Sequence, residues 1–98
     1  MLESQLIYNN IRYSREFVFD GRGKTAWDFA IPDARLLVEV NGNIWQKGGH
    51  SSGTGIMRDY KKLMMAQMNG WAEFMVASQH VADGTALQWI IEYGKRNK

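Results

Sequence analysis

The chain has 98 residues, 45% of them hydrophobic, with 12 Lys and Arg against 10 Asp and Glu and no cysteine. These figures suit one globular domain spanning 1–98, argue against a disordered tail, and exclude disulfide frameworks, thiol catalysis and Cys-ligated metal centres. No apolar run approaches the ~18–20 residues of a membrane span, and the opening MLESQLIYNN lacks a signal peptide's basic-then-apolar profile, so a cytoplasmic domain without a membrane partner is expected.

Residues 2–7 read as a short helix or an extended lead-in. Strand signals follow at 15–19, 26–31 and 36–40, each rich in β-branched or aromatic residues and bounded by turn chemistry. Residues 20–24 close a first hairpin and Pro32-Asp33-Ala34 a second, which makes a three-strand meander. Residues 42–55 then hold five of the ten glycines, together with Trp45, Lys47, His50, Ser51 and Ser52. Connections of that length are uncommon in compact domains and are often functional. From Ile56 the period becomes helical and puts Ile56, Met57, Tyr60, Leu63, Met64 and Met68 on one face, with Gly70 as the stop. Residues 71–77 form a buried strand. Asp83 caps a last helix that turns Ala86, Leu87, Ile90 and Ile91 inward. The order βββ-α-β-α predicts an α/β fold, in which a right-handed crossover adds a parallel strand to the meander and helices flank the mixed sheet.

Register arithmetic gives the strongest signal. A second hairpin centred between Asp33 and Ala34 sets Asp28 opposite Glu39. A first hairpin centred on Arg22 sets Glu16 opposite Asp28. The three acids then form one row across adjacent strands. Alternation puts Phe17, Phe19, Trp27, Phe29, Ile31, Leu36, Val38 and Val40 on a core face, and the acids on the other beside Val18, Ala30 and Leu37. Like charges opposite one another destabilise a sheet, so the row calls for a cation, and oxygen-only ligands suggest Mg²⁺ or Mn²⁺. The competing reading is a solvated face with ordinary surface charges. One bulge would break the row, but the short second turn makes the Asp28–Glu39 pair its firmer half. A metal that neutralised two or three acids would leave a basic surface (net charge +2, pI ≈ 9.0) and favour an anionic partner such as nucleic acid.

His50 follows the Glu39 strand closely enough to act as a general base or to position water, against the blander reading of a surface histidine. Asp59 either favours the positive end of its helix or points back at the metal site. Arg58, Lys61 and Lys62 give that helix a basic side suited to phosphates, with a solvated face as the alternative. Trp45 anchors the loop or stacks on a base. Met57, Met64, Met65 and Met68 read as core packing, and His80 as a surface or capping residue. Gly53-Thr54-Gly55 lacks the ending of a P-loop.

The run Trp27-Asp28-Phe29-Ala30-Ile31-Pro32, then Val38-Glu39-Val40-Asn41-Gly42, Trp45, Gly49-His50, Gly53, Gly55, Asp59 and Gly70-Trp71 resembles one nuclease group. That group is the small phage-type branch of the PD-(D/E)XK (restriction-endonuclease-like) nucleases, which includes the very-short-patch repair (Vsr-like) and EDxHD homing endonucleases. The likeness runs from about residue 16 to 80. It implies a phage-encoded, Mg²⁺-dependent (or Mn²⁺-dependent) DNA endonuclease working in the host cytoplasm. Carried over, the signature falls on Glu16, Asp28, Glu39, His50 and Asp59. Asp28 and Glu39 would be metal ligands, and His50 would activate or orient water. Glu16 and Asp59 would position the metal waters or the histidine. Lys47, Arg58, Lys61 and Lys62 would contact DNA, and a homodimer is one way to cut both strands.

Two departures stand out. The superfamily lysine two residues after the second acid is here Asn41, so His50 or Lys47 must take its role. The repair branch's structural zinc cannot be built without cysteine. Three alternatives remain: a nuclease for branched or damaged DNA, a catalytically silent nucleic-acid-binding module, and a structural protein with an acidic sheet face.

Overall fold

The computed structural model describes residues 1–19, 25–42 and 53–96. In chain order these form α1 (Leu2–Tyr8), β1 (Ser14–Phe17), β2 (Trp27–Ile31), a 3-10 turn (Pro32–Ala34) and β3 (Leu36–Asn41). Then come α2 (Gly53–Met68), β4 (Ala72–Ala77), α3 (Ser78–Ala82) and α4 (Thr85–Arg96). The strands make one sheet in the order β1-β2-β3-β4. The first two pairings are antiparallel, and β3 and β4 are parallel. This is the mixed sheet with a meander and a crossover strand that the sequence leads one to expect.

Both hairpin registers agree with the arithmetic: Arg15 pairs with Phe29, and Phe29 with Val38. In the second turn Pro32 presets the entering backbone angle, and Arg35 closes the turn in the left-handed region at φ 50°. At the end of α2, Gly70 adopts φ +79°. The Trp71 N–H donates to Ala66 O at 2.9 Å and the Gly70 N–H to Gln67 O at 3.0 Å. This pair of bonds satisfies the last helical carbonyls and needs a residue tolerant of positive φ, so Gly70 is the expected stop.

Two cores occupy the two faces of the sheet. On one, Phe29, Ile31, Leu36, Val38 and Val76 pack with Leu2 and Leu6 of α1, Val81 of α3, and Ala86 and Ile90 of α4. On the other, Trp27, Ala30 and Leu37 pack with Ala66 of α2, ringed by Phe17, Phe19, Met65 and Trp71. Helix α2 therefore covers the sheet face on which Glu39 stands, while Glu16 is exposed. Phe17, Phe19 and Trp27 also belong to this second core and not, as alternation suggested, with Phe29. Alternation is interrupted between Phe29 and Trp27, where Glu16 takes left-handed backbone (φ 50°) opposite.

The outward face of α2 corrects a second expectation. Ile56, Met57, Tyr60, Met64 and Met68 are 40% to 85% exposed, and Met65 alone among the four core-assigned methionines packs against the core. Among the α2 residues whose burial is described, the buried positions are Lys62 and Ala66. No described helix is long and apolar enough to cross a membrane.

Helix α1 is integral to the first core. Leu6 is fully buried, the Gln5 side chain donates to Val81 O at 2.9 Å, and the Tyr13 hydroxyl donates to Glu3 at 2.7 Å. Leu6→Ala should lower stability by about 2–5 kcal/mol, read from urea unfolding. A loss of only a few tenths would mean that α1 is a dispensable appendage.

Asp83 caps α4 by accepting the Thr85 N–H at 2.9 Å, in agreement with the capping chemistry of the sequence. Its bonds to Thr85 hold the carboxyl below the ordinary value of 3.8. A carboxyl with a depressed folded pKa adds stability above its unfolded value and loses it as pH falls through the folded one. Asp83→Ala should therefore lower the melting temperature at neutral pH and flatten its fall below pH 4. Parallel acid limbs for the two proteins would contradict this.

Candidate active site

The paired ladder between β2 and β3 runs from Ile31–Leu36 through Ala30–Leu37 to Phe29–Val38. At the next step side chains take over. The Asp28 N–H donates to Glu39 Oε1 at 2.9 Å, and the Val40 N–H donates to Asp28 Oδ2 at 2.8 Å. Each carboxylate thus crosses the gap to bind the partner strand's backbone. Hydrogen bonds of this charged kind stabilise by roughly 1.5–3 kcal/mol each, which offsets the juxtaposition of two negative groups and fixes both carboxylates to the main chain.

The compensating cation is Lys62. Its ammonium donates to Glu39 Oε2 at 2.6 Å and to Ala26 O at 2.8 Å, and lies 5.3 Å from the centre of the Trp27 ring. The residue is only 7% exposed. A buried ammonium is tolerated when its charge is paired and hydrogen-bonded; here the pair with Glu39 and the bond to Ala26 O use two of the three N–H donors, with the Trp27 ring beside them. Trp27 is anchored in turn, because its indole N–H donates to Glu73 on β4 at 2.5 Å. A continuous chain of contacts therefore runs Glu73–Trp27–Lys62–Glu39–Asp28. The expectation that Lys62 lies on a phosphate-facing helix side is corrected: it turns inward because Glu39, on a covered sheet face, needs a partner.

The remaining candidates are more dispersed. Glu16 is exposed and lies opposite Asp28 in register, on left-handed backbone. Asp59 is exposed on α2, three residues before Lys62 and hence on the same side of the helix. Arg58 and Lys61 are exposed on α2. Lys47, His50 and Trp45 lie outside the described residues. No group of three or more His, Asp or Glu able to hold a metal ion forms among the described residues. His80 is not part of the site: its Nδ1 accepts the Ala77 N–H at 3.0 Å, and its ring packs on Trp89.

On the opposite face Asp28 lines a groove of about 660 Å³ between α1 and α3, with Arg15, Phe29, Val40, Ser78 and Gln79 also in its walls. The splayed strand ends thus expose Asp28 to this groove while α2 holds Glu39 from the other side. Neither the inward role of Lys62 nor any role for Arg15 follows from the sequence reading. A signal for Lys62 is nonetheless present: Gly55, Asp59, Lys62 and Ala66 recur at helical spacing on the side away from the methionines, a small-and-polar stripe suited to a charged sheet position.

Lys62→Met should cost about 2–3 kcal/mol, less than the ~3–5 kcal/mol of a fully buried broken pair, because the Glu39 side chain is 24% exposed. Adding Glu39→Gln should recover part of the loss. Strict additivity in a double-mutant cycle of unfolding free energies would show that the two groups do not interact.

No family model matches the chain, and no curated protein sequence matches it. Its fold is similar to the solved structure of the catalytic domain of the homing endonuclease I-Bth0305I. The likeness has a TM-score of 0.67 at 20% identity and covers 95% of this chain and 87% of that one. At that identity the comparison speaks to the fold alone, which the two chains share over nearly their whole length.

Proposed function

We propose that this chain is a metal-dependent DNA endonuclease of the PD-(D/E)XK kind, of homing or repair type. The observation that carries the reading is the meeting of two carboxylates and a buried ammonium (Asp28, Glu39 and Lys62) where β2 and β3 stop pairing. The similarity of the fold to a homing endonuclease catalytic domain supports it.

The donor set suits a hard cation such as Mg²⁺ or Mn²⁺. Asp28 Oδ1 accepts no hydrogen bond among the described residues, and Glu39 retains lone pairs on both bonded oxygens. Asp28 would be the first ligand and Glu39 the second. When bound, the ion would polarise the phosphodiester and acidify water.

The chain's own residues supply the positioning. The N–H groups of Asp28 and Val40 fix the carboxylates, so little reorganisation is needed when substrate arrives. Lys62 holds Glu39 and offsets one of two negative charges that would otherwise repel a phosphodiester. It thereby takes the lysine role that Asn41 leaves vacant. His50 is assigned to orient the attacking water, with Glu16 and Asp59 flanking the centre. Lys47, Arg58 and Lys61 are assigned to backbone phosphates.

The test is supercoiled plasmid incubated with protein and Mg²⁺ or Mn²⁺. The expected result is nicking or linearisation that disappears with EDTA and in Asp28→Asn. That variant should melt near the wild-type temperature, since its amide oxygen can still accept the Val40 N–H. Failure to nick, together with no Mn²⁺ binding by calorimetry, would overturn the reading.

A further inference from the structure

We propose that the substrate strand is bound along the groove between α1 and α3, on the side of the sheet away from α2, and that Arg15 is its phosphate-binding residue. The proposal rests on the endonuclease reading of the same site and names the path by which DNA reaches it. The sequence pointed instead to the basic side of α2, but Lys62, the central cation of that side, faces inward and is bonded to Glu39 and Ala26.

Asp28 lines the α1–α3 groove, and Arg15 lines it too. A groove of this size whose only charged feature was a carboxylate would repel a phosphodiester, so a cation beside that acid decides whether an anionic strand can enter. Arg15 is the one cationic side chain among the described lining residues. Its guanidinium lies 5.4 Å from the centre of the Phe29 ring, a cation–π contact that holds the side chain against the groove. The side chain is 54% exposed.

Its ion-pair partner leaves it free to bind. Glu3 Oε1 stands 3.6 Å from Arg15 Nη1, beyond hydrogen-bond range, while Glu3 Oε2 is engaged by the Tyr13 hydroxyl at 2.7 Å. Glu3 therefore orients the guanidinium without saturating it, and two of its N–H groups can donate to two oxygens of one phosphate. Across the groove, Ser78 and Gln79 offer polar groups of the kind that contact sugar and phosphate. The apolar floor of Phe29 and Val40 suits the sugar edge between them.

The experiment is fluorescence anisotropy of a labelled DNA duplex with the full chain in EDTA, across a salt series, so that cleavage plays no part. Arg15→Gln should weaken binding about five- to tenfold and reduce the slope of log affinity against log salt by about 1, the signature of one lost phosphate contact. Glu3→Gln should bind more tightly than wild type, because it removes the anion that competes for Arg15 while its amide oxygen can still accept the Tyr13 hydroxyl. Both variants are checked by thermal unfolding. If Arg15 is only a structural partner of Glu3, both variants will melt lower and bind DNA as wild type does, and the proposal falls. An affinity that depends on Arg58 and Lys61 but not on Arg15 would also overturn it and return the strand to α2. If wild type binds no DNA at all, the endonuclease reading fails with it, an outcome distinct from both of these.

Discussion

The ammonium of Lys62 ties three parts of the chain together: helix α2, on which it stands, the Ala26 carbonyl at the start of β2, and the Glu39 carboxylate on β3. Much else follows from that bond. A helix laid on a sheet by an ion pair and a small residue, Ala66, presents Lys62 and Ala66 inward whatever its apolar residues do. Its methionines and Tyr60 are therefore left largely outside. In an ordinary amphipathic helix the apolar stripe decides orientation through burial. Here the cost of an unpaired Glu39 beneath the helix outweighs the gain from burying flexible methionines, and the charge decides.

The same constraint shapes the strands. Asp28 and Glu39 occupy the step where the β2–β3 ladder would otherwise continue, and their oxygens accept N–H groups across the gap. The departure extends to β1, where Glu16 holds a left-handed backbone angle that costs about 1–2 kcal/mol for a non-glycine residue. It also moves Trp27 onto the α2 side, where its ring lies beside the Lys62 ammonium and its indole N–H binds Glu73. The irregularities of β1 and β2 thus lie beside the charged side chains at one end of the sheet, while β3 keeps its regular pairing with β4. Natural chains keep departures of this kind chiefly at functional sites.

The range over which each interaction acts decides which features are legible in the sequence. The two hairpin registers, the Gly70 stop and the Asp83 cap follow from local chemistry, since turn residues, alternation and capping groups act over a few positions, and the parallel fourth strand follows from the right-handed crossover rule. The orientation of α2 does not follow, because periodicity reveals a stripe without saying what lies on the sheet beneath it. The stripe of Asp59, Lys62 and Ala66 prevails over the methionines because Glu39 lies covered below it, and that covering is a tertiary contact absent from any local pattern. The placement of Trp27 is hidden for a related reason: perfect alternation is the default for a strand, and the Asp28 bonds that break it are tertiary. Nothing in the sequence around Arg15 marks it either. It shares a groove with Asp28 only through the way α1 and α3 pack on the sheet.

The two faces of the sheet differ in character. The α2 face is aromatic and charge-compensated, and it holds Glu39 rigidly through Lys62. The α1–α3 face carries the groove lined by Asp28 and by the half-exposed Arg15. At the step where the β2–β3 ladder stops, each carboxylate accepts an N–H of the other strand, which keeps Asp28 and Glu39 beside one another. Two adjacent carboxylates repel, and Lys62 compensates one of the two charges from the α2 side, so the pair persists at a place where regular pairing would bring no cation to it.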